Sequence, residues 1–239
     1  PPSWSLDIEV LGDTVPEAIF FRMLRSKHDV ALADDTSGVL TYEKFLLAAV
    51  VLSKRLRKIP GDAVGLLIPA SAGGTITLVA LHLAGKLPVI LNWTTGPANM
   101  AHGVRLTGVT HVVTSRRFID RAGVEVPGTT FVYLEDVRGT VGKWELLRRL
   151  VGIRLFPERT ARRALSRINR DPQKPAVVLF TSGSEKAPKA VPLTHANIIS
   201  DQRGCLDALK LRRNNSAIGF LPMFHSFGLT VTGLLPLFV

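Results

Sequence analysis

Apolar positions along this chain recur in two alternating rhythms, short unbroken runs and longer segments with helical spacing. After an opening segment the runs fall at Val30 to Ala33, Ala63 to Ile68, Pro88 to Asn92, His111 to Thr114, Thr130 to Leu134 and Ala176 to Phe180. Between them lie amphipathic stretches at Tyr42 to Lys58, Ala72 to Ala84, Pro97 to Thr107, Arg116 to Gly123 and Thr194 to Leu211. Short apolar runs read as buried strands, and helical spacing over three or more turns reads as helix. Parallel strands need crossovers, so the alternation predicts an α/β fold: a layered, mostly parallel sheet with helices on both faces.

Two regions break the rhythm. From Ile218 to Val239 there is no charged residue, long enough to raise the question of a membrane span. Pro222, His225, Gly228, Gly233 and Pro236 interrupt it, so a buried strand from Ala217 to Leu221, a loop, and a core helix beginning near Phe227 are expected instead. The chain stops inside this apolar segment and opens on Pro1-Pro2-Ser3, which suggests a piece of something larger. The second region, Arg138 to Arg170, carries most of the excess charge of a chain whose net charge is +11. There Trp144, Leu147, Leu150, Val151 and Leu155 recur near helical spacing beside a basic face, as in helices that lie on anionic membranes. The same pattern suits a solvated basic helix whose Trp and Leu residues pack on the domain body. It also suits a patch that steers an acidic protein partner. Nucleic acid is not expected, because no interleaved aromatics or binding motif accompany the charge.

With 239 residues, 46% of them hydrophobic, the chain has ample material for a core. Its single cysteine, Cys205, excludes an internal disulfide framework and is expected as a buried small hydrophobe inside a helix. No metal-ligand cluster and no signal peptide are visible. Gly73-Gly74 lacks the third glycine of a dinucleotide loop and reads as the start of a helix, and Thr194 before His195 reads as a helix cap.

The chemistry concentrates at Thr181-Ser182-Gly183-Ser184-Glu185-Lys186-Ala187-Pro188-Lys189-Ala190, directly behind a strand candidate. Backbone N–H groups in a turn bind anions, glycine permits close approach, hydroxyls add donors and lysine supplies charge. This is not a Walker loop: five residues after Gly183 stands Pro188, and Ala190 occupies the place of the Mg²⁺-binding hydroxyl.

Some thirty residues later comes Gly219-Phe220-Leu221-Pro222-Met223-Phe224-His225. Together with Pro188-Lys189-Ala190, and with Leu40-Thr41-Tyr42 and Ala84 to Asn92 in their order, it resembles the amino-terminal part of the adenylate-forming (AMP-binding) superfamily. That superfamily includes acyl-CoA synthetases, luciferases and peptide-synthetase adenylation domains. Thr-Ser-Gly-Ser-Glu, Pro-Lys-Ala-Val-Pro-Leu-Thr-His and Pro-Val-Ile-Leu-Asn-Trp-Thr are most similar to its acyl-acyl carrier protein synthetase branch, next to the long-chain acyl-CoA synthetases, whose members are often fused to a lysophospholipid acyltransferase.

The resemblance implies that residues 1–239 form the amino-terminal portion of the adenylation large domain, with a basic helical insertion near 138–170. It implies ATP and Mg²⁺ as cofactors and a carboxylic acid, of the fatty class, as substrate. The acceptor would be the thiol of acyl carrier protein or CoA, and the location the cytoplasm, peripheral on or fused to a protein of the inner membrane. Thr181, Ser182, Gly183, Ser184 and Lys189 would wrap the β and γ phosphates, and His225 would line the junction of the carboxylate and acyl pockets. Family members carry the adenine pocket, the acidic Mg²⁺ ligand, the ribose-binding aspartate and the lid lysine further along than residue 239, so this stretch alone is not expected to catalyse. Two positions depart from the pattern, Lys186 and Ala190, where glycines are common. They keep open a non-catalytic acyl- or nucleotide-binding module on the same fold.

Overall fold

A computed structural model describes residues 9–166, 168–181, 187–209, 211 and 215–238. The six-stranded main sheet has the order β6 (Thr130–Tyr133), β5 (His111–Thr114), β3 (Ala63–Leu66), β4 (Leu87–Ile90), β7 (Pro175–Phe180), β8 (Ala190–Thr194). All neighbours are parallel except β7 and β8, which form an antiparallel hairpin.

Alternate side chains of each strand enter two separate cores. Leu66, Ile90, Val113, Val177 and Leu179 belong to one, and Leu67, Val89, Val112 and Val178 to the other. The period of two in the strand carries this division, and it explains why the runs are apolar throughout rather than half polar. Over the first face pack α1 (Val15–Ser26), α2 (Tyr42–Leu56) and α3 (Ala72–Ala84). Over the second pack α4 (Pro97–Thr107) and α5 (Arg116–Ala122). Gly65 lies where β3 passes β5: a Cβ there would meet Val112 Cγ2 at 2.8 Å.

The helices begin and end where local chemistry dictates. Ser71 accepts the Gly74 N–H at the start of α3, assisted by Asp34, which accepts the Ala72 N–H at 2.8 Å. Gly85 in the left-handed region closes the same helix. Thr194 and Asn197 exchange reciprocal bonds at the start of α9 (His195–Leu209), so the expected cap is present.

Three expectations change. The run at Val30 to Ala33 lies outside the main sheet: β1 (Val30–Asp34) pairs antiparallel with β2 (Gly38–Thr41), because Asp34 accepts the Thr36 and Ser37 N–H groups and turns the chain at once. Ala217 to Leu221 is no strand. Residues 215–220 are all exposed and no neighbouring strand supplies ladder bonds, so apolar composition alone does not make them sheet. Beyond them a π-helical segment, Gly228–Leu234, runs into α10 (Leu235–Phe238), and here the expected core helix is found. Cys205 is half-buried rather than fully covered, and burial raises its thiol pKa.

The basic segment folds as α6 (Leu134–Gly139), α7 (Lys143–Leu155) and α8 (Pro157–Leu165). Three ion pairs on two carboxylates tie α7 to α2: Arg154 donates to both oxygens of Glu43, and Arg55 and Lys54 donate to Glu145. The Arg55 bond, followed by Lys54, holds the Glu145 carboxyl down at about 2. Yet only Ile153 of α7 is fully buried, while Trp144 is 82% and Leu155 67% exposed. Of the apolar face expected on this helix, Leu150 is half-buried, while Trp144, Leu147, Val151 and Leu155 do not pack on the domain body. Among the described residues no helix is long and apolar enough to cross a membrane.

At the amino-terminal end of β7, His82 and His195 meet with ring centroids 5.6 Å apart. His82 Nε2 lies 2.7 Å from the Ala176 carbonyl, and His195 Nδ1 accepts the Val15 N–H. His195 Nδ1, as an acceptor, carries no proton, and burial favours the neutral form of both rings. Burial, reinforced for His82 by the repulsion a protonated His195 would exert, pushes each down to about 4. The unfolded chain takes up these protons near 6.5 and the folded chain only near 4, so the stability they contribute is complete above 6.5 and lost as pH falls through about 4. Denaturant titrations of the wild type and His82→Gln, at neutral pH and at about pH 4.5, should show the wild type losing on the order of 3 kcal/mol more. Parallel losses in both proteins would refute this. A second expectation concerns Gly228, whose Cβ would lie 2.2 Å from the Pro222 carbonyl oxygen. Gly228→Ala should destabilise by about 2 kcal/mol or more in the same assay, and a change within experimental error would show that the turn relaxes freely.

Candidate functional site

The connection leaving β4 runs back across β3 to β5, whereas that leaving β7 turns outward to β8. Their adjacent carboxyl ends therefore part in opposite directions, which is where open α/β sheets leave a crevice for ligands. A small gap of about 10 Å³ lies there, bounded by Leu91, Asn92, Thr95, Asn99, Phe180 and Pro188. Its wall is fixed by close packing: a Cβ on Gly103 of α4 would touch the Phe180 ring at 2.9 Å, so glycine lets α4 lie directly on that side chain.

Thr181 stands at the end of β7 and Lys189 just before β8, both exposed. Two bonds of 3.0 Å close the loop between them: the Thr181 N–H donates to the Lys189 carbonyl, and the Lys189 N–H donates to Thr181 Oγ1. The hairpin thereby presents a hydroxyl and an ammonium group at the sheet's carboxyl rim. Ser182, Gly183, Ser184 and Lys186 lie outside the described residues. Ala190 opens β8 opposite Phe180, half-buried in a regular ladder position. A methyl side chain is at home there, and nothing in that pairing calls for glycine.

His225 is exposed at the turn before the π-helical segment. Its ring lies tilted against Phe224 at 4.6 Å, and Phe224 meets Trp93 edge to face, also at 4.6 Å. Trp93 begins a 3-10 turn, Trp93–Thr95, at the end of β4, where Asn92 accepts the Thr94 N–H. Trp93 also packs against Phe118 of α5. The aromatic chain thus seats His225 on the strand end neighbouring β7. Of the two phenylalanines flanking His225, Phe224 is buried beneath it and Phe227 is 56% exposed. Sequence reading included Trp93 only as part of Pro-Val-Ile-Leu-Asn-Trp-Thr and gave it no role at the site, since a tryptophan after a strand carries no chemical signature of its own.

Thr181 and Lys189 fit a polyphosphate in kind, as a hydrogen-bonding hydroxyl and a cation at a strand's carboxyl end. For Mg²⁺ the described residues offer no group of three His, Cys, Asp or Glu side chains, so they supply no metal cage.

A family model described as AMP-binding enzyme matches residues 21–239. The 2-succinylbenzoate–CoA ligase of Staphylococcus aureus strain MRSA252 is 28% identical over 215 residues, which cover 85% of this chain and 42% of that protein. Its counterpart from strain JH9 is 27% identical over the same extent. The chain spans less than half the length of these curated relatives. Among solved structures, VinN in complex with L-aspartate superposes with a TM-score of 0.73 at 18% identity, covering 95% of this chain and 60% of that one. The o-succinylbenzoate CoA synthetase of Bacillus subtilis, in complex with its acyl-adenylate intermediate, gives 0.70 at 16% identity, with 93% and 54% covered. At these identities the structural likeness speaks for the fold, and the match across 21–239 speaks for descent: the chain belongs to the AMP-binding enzyme family.

Proposed function

We propose that this chain is part of an ATP-dependent acid–thiol ligase, in which a carboxylate attacks the α-phosphate of ATP and the acyl group then passes to a thiol. The observation that carries the reading is the closed hairpin: Thr181 and Lys189 are fixed to each other at the rim of β7, in a chain that belongs to the AMP-binding family. Thr181, with Ser182, Gly183 and Ser184, would grip the β and γ phosphates, and Lys189 would neutralise them, contributing position and charge rather than a nucleophile. His225, on its aromatic support, would border the carboxylate. Mg²⁺ would shield the phosphate charge when bound, through groups other than the described residues.

The names of the relatives support CoA as acceptor. The motif likeness to acyl-acyl carrier protein synthetases supports a fatty acid and a carrier protein. A pyrophosphate-exchange screen of the full-length protein separates the two if it includes acids from acetate to palmitate together with 2-succinylbenzoate, followed by acyl transfer to CoA or to acyl carrier protein. In the full-length protein Lys189→Ala should lower exchange by roughly one to two orders of magnitude. His225→Ala should act mainly on the KM for the acid. Exchange at the wild-type rate in the Lys189 variant would remove that lysine from the phosphate grip. No exchange with any acid would favour the non-catalytic binding module instead.

A further inference from the structure

An amphipathic helix in a folded domain ordinarily turns its apolar stripe inward, and α7 does the reverse. Its inner face holds buried Ile153 and half-buried Leu150, and its outward face carries Trp144, Leu147, Val151 and Leu155 at spacings of three and four residues, all exposed. At 1.5 Å per residue this makes a stripe roughly 17 Å long. Around it, residues 143–165 contain seven basic and two acidic side chains. Glu145, one of those two, is engaged by Arg55 and Lys54, and Arg154 is held by Glu43. Arg148, Arg159, Arg162 and Arg163 face solvent. Beside the stripe, between α2 and the α7–α8 pair, runs a groove in which Lys54, Arg57, Arg148, Arg159 and Arg163 stand over an apolar floor that includes Val50 and Leu83. Arg148 borders both features.

From this placement we propose that α7 and α8 form a docking surface for an anionic lipid bilayer. The Trp144–Leu155 stripe enters the headgroup boundary, and the arginines of the groove bind lipid phosphates. Charge complementarity selects this occupant. An exposed tryptophan with leucines, flanked by arginines, matches an interface that is apolar below and negative above, and it lies on such a surface rather than spanning it. An acidic protein would need the cations alone and would leave the stripe unexplained. The ion pairs of Glu43 and Glu145 hold α7 to α2, so docking would orient the whole domain.

The test floats the full-length protein with vesicles of phosphatidylcholine alone and of phosphatidylcholine containing one third phosphatidylglycerol. The protein should rise with the anionic vesicles only. Trp144→Ser combined with Leu155→Ser, both on the outward face, should lower the bound fraction roughly tenfold or more. Arg148→Gln, Arg159→Gln and Arg163→Gln together should lower it comparably, with circular dichroism confirming that each variant is folded. Equal flotation on both vesicle types, or undiminished flotation of the serine variant, overturns the proposal. So does capture of an acidic protein by this face without vesicle binding. A covered stripe would do the same, seen without vesicles as shielding from iodide of the emission that distinguishes wild type from Trp144→Phe, because another part of the protein or a second copy would then occupy it.

Discussion

The burial of β3, β4, β5 and β7 on both faces is the constraint from which the rest of the structure follows. Adjacent residues such as Leu66 and Leu67, or Val177 and Val178, enter different cores, so neither face of the sheet has room for a polar group without a partner. Thr114 shows the rule, since its buried hydroxyl donates to the Leu67 carbonyl at 2.7 Å. Ligand chemistry is thereby confined to the strand ends. At the carboxyl rim the chain changes direction between β4 and β7, and there a hydroxyl, an ammonium and an imidazole reach solvent through Thr181, Lys189 and His225. The opposite end of β7 is closed by the neutral pair His82 and His195.

What the sequence made legible follows the same division. Elements whose apolar residues are committed to these cores were readable almost to the residue, as with Ala72–Ala84, Pro97–Thr107 and His111–Thr114, because the apolar period is unbroken there. The elements that escaped have their reasons outside their own residues. β8 is half exposed and contains Pro192, and it becomes a strand only because β7 offers it a ladder. Ala217 to Leu221 has the composition of a strand and no such partner. β1 was placed in the wrong sheet because the turn at Asp34 is made by a side chain, which hydrophobic period does not register.

The candidate site divides similarly. Hydroxyls, glycine and lysine in one short segment announce anion binding from their chemistry alone. That Thr181 and Lys189 would be bonded to each other across a hairpin required β8, and that His225 would rest on Phe224 and Trp93 required the sheet order. Ala190 illustrates the converse. Judged as a missing glycine it looked like a weakness, whereas in a ladder opposite Phe180 its methyl group needs no unusual backbone.

Helix α7 of the basic segment sends its one fully buried residue into neither core, and its energetics differ accordingly. Elsewhere helices are held by apolar burial, but α7 contributes one fully buried side chain and is retained largely by carboxylates of α2 and its own Glu145. Glu43 is only 6% exposed, so removing Arg154 would leave a nearly buried carboxylate without its bidentate partner, a larger loss than an ordinary surface pair implies. This mode of attachment commits α7's one acid to α2 and leaves its tryptophan and most of its leucines outside. A helix selected only to cover α2 would have been expected to turn them the other way. Inverted amphipathicity, secured by charge on the inner side, is what a domain requires when the outer side of a helix has a partner of its own.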